Sequence, residues 1–462
     1  MQDTFKVNNK LTLNAGLNYQ HQQQPVDTAN HVGSFDVAGN RDLSYPDTNV
    51  LGLDRAMVKP RFLNFAPRLG FNYAPFAGTD VKGGFGIYFL QPNINQYEVE
   101  VDTTKYYLIQ SYNNSSPQGY GTNPAGSFAP PKFTLGQLFG PAVPGGGPTA
   151  SFIQPNGQTP YTYEWNLTVD HTLKNWLFEV AYLGSAAHHY EERPNIASLL
   201  NANGDTSLPG WTGVQENTNS GSSFYSGVVL RVEHRYSSGF SVLGNYTFSK
   251  CLGYPWQDVF TWHPLNLRLD RGHCQLDLNQ NLVANTIYEL PFGQGKPFLS
   301  RSGGLTNAVV GGWRVSAIAS LHSGPWLTLG SSQNLGIFVN ALPNVIGPVN
   351  NSSLHSDLGK HGRLGPYFNT HNVVPVTAVA QQGNAPVQEL QSPGAATWDV
   401  SGYKGWTFAE RYTLDFRADA FNVFNRANFY GLDANVNDGA RFGLLTNAEA
   451  GREIQLSLRF TF

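Results

Sequence analysis

The sequence predicts an all-β protein whose strands form an antiparallel transmembrane β-barrel, and three observations carry that prediction. The chain is poor in charge yet rich in aromatic residues and glycine. Apolar and polar residues alternate in segments of about ten residues. Tight links between those segments alternate with long ones.

Composition comes first. Of 462 residues only 13% are charged, about half the share usual in a soluble globular domain. Aromatics also reach 13%, with 22 Tyr, 29 Phe and 9 Trp, and glycine reaches 49. Hydrophobic residues are a moderate 40% and the mean hydropathy is −0.30, so the chain is not a bundle of apolar helices. No segment offers the roughly 18 consecutive apolar residues that a transmembrane helix needs. A sheet with one apolar and one polar face accounts for all of this. The opening residues Met1-Gln2-Asp3-Thr4-Phe5 lack the apolar run of a secretory signal. A net charge of −3 leaves no basic footprint for nucleic acid.

Alternation comes second. Leu11, Leu13, Ala15, Leu17 and Tyr19 alternate with Thr12, Asn14, Gly16, Asn18 and Gln20. The same period of two runs through Tyr163, Trp165, Leu167 and Val169, through Val228, Leu230 and Val232, and through Tyr412, Leu414, Phe416 and Ala418. At the end of the chain Ile454, Leu456, Leu458, Phe460 and Phe462 alternate with Gln455, Ser457, Arg459 and Thr461. Less regular strands fit near 2–7, 65–76, 80–90, 176–187, 239–250, 281–290, 312–323 and 397–408, for about thirteen in all.

Link length comes third. The links at 7–10, 172–175, 236–239 and 408–411 are turn-like. Those near 23–62, 91–160, 188–222, 251–280, 324–396 and 425–451 are long. One connection, 291–311, falls on the short side by parity yet is longer. Six long structureless loops are unusual in a soluble domain. In an outer-membrane barrel they are external, with short turns in the periplasm. Soluble sandwiches, lectin barrels and propellers also use alternating strands, but no blade-like repeat is present. The polar faces also carry full charges: Arg231, Glu233 and Arg235 on one strand, Asp415, Arg417 and Asp419 on another. The opposite faces are wholly apolar, so charge is expected to line water while apolar side chains meet lipid.

The stretch Phe416-Arg417-Ala418-Asp419-Ala420-Phe421-Asn422-Val423-Phe424-Asn425-Arg426-Ala427-Asn428-Phe429 resembles the penultimate strand of TonB-dependent receptors. The closest group looks like the Oar-like receptors with a carboxypeptidase-regulatory-like N-terminal domain. Ala66-Pro67-Arg68-Leu69-Gly70-Phe71, Lys82-Gly83-Gly84-Phe85-Gly86-Ile87-Tyr88, Glu164-Trp165-Asn166-Leu167 and Tyr288-Glu289-Leu290-Pro291-Phe292-Gly293 also fit, in family order. The resemblance implies a barrel of about 22 strands closed by an N-terminal plug. Ligand binds the outer loops and plug, and the TonB energy-transducing complex pulls a short N-terminal box. Residues 1–462 then read as the C-terminal portion of such a barrel, with the regulatory-like domain, plug, box and early strands absent. The implied function is energised uptake of an extracellular siderophore, carbohydrate or peptide. A passive porin or adhesin barrel, or a non-functional receptor fragment, is the alternative. The implied partners are outer-membrane lipid, the TonB complex, the barrel-assembly machinery and a small external ligand.

No enzyme motif, cofactor signature or paired-cysteine metal site occurs in the sequence. His188-His189 is weighed as a metal pair and read as a solvated loop. Asp433-x-Asn435-x-Asn437-Asp438-Gly439 resembles a calcium loop, but its Gly falls one place late and Leu444 stands where a carboxylate is needed. Tyr106, Tyr107, Trp211, Trp256 and Trp262 are read as loop and girdle aromatics, with sugar stacking the alternative. The six lumen-facing charges are expected to form an ion-pair lattice that fixes register, with contact to plug or solute the alternative. Cys251 and Cys274 bracket one external loop at the outer ends of neighbouring strands and are expected to form a disulfide. Ile454, Leu456, Leu458, Phe460 and Phe462 are expected to be the assembly signal, on a strand that closes the barrel against its first strand.

Overall fold

The computed structural model describes residues 2–21, 26–30, 32–90, 149–194, 196, 208–211, 213–254, 262–263, 266–332, 341–350, 365–376, 382–409 and 411–462. Thirteen strands follow one another in chain order along a single antiparallel sheet. They are β1 (Gln2–Lys6), β2 (Leu11–Tyr19), β3 (Phe65–Phe76), β4 (Thr79–Phe89), β5 (Tyr161–Leu173), β6 (Trp176–Glu192) and β7 (Gly213–Ser237). The path continues through β8 (Phe240–Gly253), β9 (Gln280–Glu289), β10 (Arg314–His322), β11 (Ala395–Phe408), β12 (Tyr412–Phe421) and β13 (Glu453–Thr461). This is an antiparallel β-barrel wall, and no helix among the described residues is long and apolar enough to cross a membrane.

Register carries the alternation across the whole wall. Consecutive partners link Gly83, Leu167, Tyr182, Val228 and Phe248 into one row on the apolar face. A row on the other face, three residues nearer the tight turns, runs Asp80, Asp170, Glu179, Arg231 and Asn245. Because side chains alternate strictly, a slip of one residue would put that polar row into hydrocarbon. The turns on one side are as tight as the link lengths predict. Lys174 and the pair Ser238-Gly239 take positive φ, the conformation that matches a two-residue hairpin to the strand twist.

All six long connections leave from the opposite end, and they are not structureless. Short ladders join Gly33–Asp36 to Arg41–Ser44, Asn344–Val345 to Val373–Val374, and Phe429–Leu432 to Leu445–Ala448. The compact apolar clusters of the molecule also lie there. One gathers Leu342, Phe368, Val387, Leu390 and Phe442, and the other gathers Phe35, Phe152 and Val214. The expectation of bare loops fails because each connection buries apolar side chains against another.

One further expectation changes. Strand β6 runs on to Glu192, so His188 and His189 belong to a strand and not to a loop. The rungs continue because β7 extends upward beside it, pairing Ser222 with His188. Strands β1 and β13 are the two outer strands of the sheet, and neither outer edge has a partner strand among the described residues. Twelve antiparallel steps leave β1 and β13 pointing the same way, so an all-antiparallel closure takes an odd number of strands between them.

Candidate functional site

A transmembrane strand needs only about ten tilted residues. Strands β6 and β7, at 17 and 25 residues, therefore rise well above the apolar band. Their outer ends, with the chain before β5, form the walls of a cleft of ≈ 530 Å³. Gln154, Asn156, Gln158, His189, Glu216 and Asn219 line it. A parallel strand, Thr149–Ile153, pairs with the top of β7 and holds one wall. Asn219 Nδ2 donates to the His189 carbonyl at 3.1 Å, and His189 Nδ1 meets the Asn219 carbonyl at 3.2 Å. The two bonds lock the rim. Glu216 is half-buried, and burial pushes its carboxyl above the usual range. The cleft thus offers amide donors and acceptors around one carboxyl, and among the described residues no Lys or Arg lines it.

Beside the cleft is a buried acidic pair that sequence reading missed. Glu192, 3% exposed, keeps one carboxyl oxygen without a partner among the described residues. Burial, with the charge of Asp270 adding to it, pushes this carboxyl up to about 8. Asp270 is fully buried and accepts from the His263 backbone N–H at 3.0 Å and pairs with His263 Nδ1 at 2.6 Å. Tyr190 donates its hydroxyl to the Ser222 carbonyl at 2.8 Å and accepts from the Tyr254 N–H at 3.0 Å. Only the Glu191-Glu192 doublet hinted at this, and nothing local brings Asp270 to it.

The six charges singled out on the polar faces are paired, but mostly along their own strands. Arg231 binds Glu233 at 2.6 Å, Arg235 approaches the same carboxyl at 3.9 Å, and Arg417 binds Asp419 at 2.9 Å. Asp415 accepts from the Tyr403 hydroxyl at 2.6 Å. Pairs that do cross strands, Lys82 with Asp170 at 2.7 Å and Arg314 with Glu289 at 3.4 Å, were not anticipated. The terminal row Ile454, Leu456, Leu458, Phe460 and Phe462 is exposed on the apolar face, and Phe460 stacks on Tyr412 at 6.0 Å. Cys251 and Cys274 are bonded, Cα atoms 5.3 Å apart. Among the described residues no three His, Cys, Asp or Glu side chains are arranged to hold a metal. Asp433 is spent on Arg441 at 3.6 Å and on the Asn435 N–H. Trp211 packs edge-on to Phe35 and Trp262 packs on the larger loop cluster, whereas Tyr106, Tyr107 and Trp256 lie outside the described residues.

A family model described as the outer membrane beta barrel domain matches residues 1–455. No curated protein sequence matches the chain. Among solved structures, the outer membrane transporter YddB from Escherichia coli is 11% identical with a TM-score of 0.45, over 98% of this chain and 43% of that one. A mutant ferric enterobactin receptor, PfeA, of Pseudomonas aeruginosa in complex with enterobactin is 11% identical with a TM-score of 0.48, over 100% and 44%. BauA, the ferric preacinetobactin receptor of Acinetobacter baumannii, is 10% identical with a TM-score of 0.44, over 100% and 42%. The chain spans less than half the length of each of these proteins.

Proposed function

The chain belongs to the outer membrane β-barrel domain family, and from that premise we propose that it is the wall of a TonB-dependent uptake receptor. In this reading its thirteen strands are one portion of a larger plugged barrel that admits a ligand from outside the cell. The location is the outer membrane: the apolar rows meet lipid and the charged rows face the lumen. The observation that carries the uptake reading is the position of the polar cleft. It stands at the end where the long connections gather, on strands that carry Asp170, Glu179 and Arg231 farther down, toward the tight turns. A ligand caught there enters a charged, water-filled passage.

The test is accumulation of labelled solute in cells that make the complete receptor. A panel of ferric siderophores, oligosaccharides and short peptides is offered with and without a working TonB. Uptake of one class that vanishes without TonB supports the reading. Uptake indifferent to TonB, with steady ion conductance of the purified protein in planar bilayers, makes it a passive pore instead.

A further inference from the structure

The connection between β9 and β10 is the long one on the short-turn side, and uptake gives it no task. It contains one short helix, α1 (Gly304–Val310). The link doubles back on itself: the Gly293 N–H donates to the Phe298 carbonyl at 3.0 Å, and Phe298 donates to Pro291 at 3.0 Å. Gly293 takes φ +112° against the Gly311 backbone, where a side chain has no room.

The helix is held from the apolar side of the wall. Lys404 stands in register with Phe416, which stands in register with Leu458, so this lysine occupies a lipid-facing row. A bare ammonium there costs several kcal/mol by the order of magnitude for polar groups in hydrocarbon. Yet Lys404 is only 2% exposed. Its Nζ donates to the Gly311 carbonyl and, at 3.3 Å, to the Val309 carbonyl, between the rings of Trp313 and Trp406 at 5.7 and 5.3 Å. Those two indoles donate as well, Trp313 to Val309 at 2.9 Å and Trp406 to Ala308 at 2.7 Å. Three donors rising from the apolar face therefore cap the last carbonyls of α1, the end of a helix that favours a cation.

What the helix turns away from the wall is mainly apolar, with Thr306 its one exposed polar side chain. Leu305 and Val309, one turn apart, are 87% and 65% exposed. Phe298 and Leu299 are exposed beside them, and the exposed cation Arg301 precedes the helix. The single amide of the helix is turned inward, Asn307 Oδ1 accepting from the Gln294 N–H at 2.7 Å. This surface continues the aromatic belt of Trp313, Trp406, Tyr412 and Phe460 at the turn end of the sheet. We infer that α1 and its flanking turn form a membrane-seated foot. Leu305 and Val309 enter the phospholipid of the periplasmic leaflet, and Arg301 lies at headgroup level. The occupant is lipid because the surface is continuous with a face that already meets lipid, and a cation beside it suits anionic headgroups.

The test places an environment-sensitive NBD dye on Leu305→Cys, and separately on Val309→Cys, with Cys251 and Cys274 left bonded. The protein is reconstituted in phosphatidylethanolamine and phosphatidylglycerol vesicles. The dye on Asn9→Cys, in the β1–β2 turn at the same end, is the aqueous reference. At 305 and 309 the emission shifts to the blue, nitroxide-bearing lipids quench it several-fold more than at 9, and aqueous iodide quenches it several-fold less. Equal iodide quenching at 305 and 9 overturns the inference, because the helix then faces water. Shielding from both quenchers also overturns it, because the face is then covered by protein. Heat-dependent gel mobility confirms folding, and the second labelling position serves if the first variant does not fold.

Discussion

Replacing Cys251 and Cys274 together by serine removes a covalent brace from the external end, and the structure sets the size of the effect. The bond joins residues 23 apart in sequence. In the chain-entropy model, closing a loop of that length stabilises the folded state by about 3.4 kcal/mol. The folded geometry survives without it, because Cys274 N–H still donates to the Cys251 carbonyl at 3.1 Å and Leu252 and Gly253 still pair with His273 and Gly272. The loss therefore falls on the unfolded ensemble, and the unfolding equilibrium shifts by roughly 300-fold. Guanidinium titration of protein in phospholipid vesicles, with and without reductant, measures it. The serine pair should behave like reduced wild type and ignore reductant. Two results refute the reasoning: both thiols alkylated in denatured, unreduced protein, or a serine variant with the midpoint of oxidised wild type.

Three further outcomes are expected. Glu192 is held protonated in the folded protein well above its unfolded value, so folding takes up a proton, and stability falls as pH rises from about 4.5 through about 8; Glu192→Gln should flatten that dependence in thermal melts at pH 5, 7 and 9, and a slope left unchanged contradicts it. Deleting Phe462, fully exposed at the end of the apolar row, should cut membrane assembly of the full receptor several-fold. Thr461→Ala, on the lumen row with Thr413, should be mild, and equal membrane yields of the two variants would sink the assembly role. Lys404→Met removes two charge-assisted bonds from the end of α1, a loss of roughly 3 kcal/mol. Cleavage within 290–313 by added protease should then quicken at least tenfold, and an unchanged rate would show that the tryptophans hold the helix alone.

Much of the wall was legible in advance because lipid and water impose it. A strand with hydrocarbon on one side and water on the other must alternate, so Leu11 to Tyr19 and Ile454 to Phe462 declare both their conformation and their faces. The alternation of tight and long links placed six long connections at one end, with 291–311 the exception at the other, and the structure has the same arrangement. The candidate site was much less legible. A cleft lined from residues 154–158, 189 and 216–219 has no single-segment pattern.

What the sequence alone determined, then, is local and periodic: strand, face, parity, and the adjacent outer ends of Cys251 and Cys274. Tertiary structure decided the rest. Glu192 meets Asp270 across nearly eighty residues, and a lysine that alternation assigns to lipid is hidden under a helix borrowed from the β9–β10 link. The physical reason is shared by both. Periodicity reports the solvent on each side of a strand, whereas these contacts depend on which distant backbone groups and charges still lacked partners once the sheet had formed.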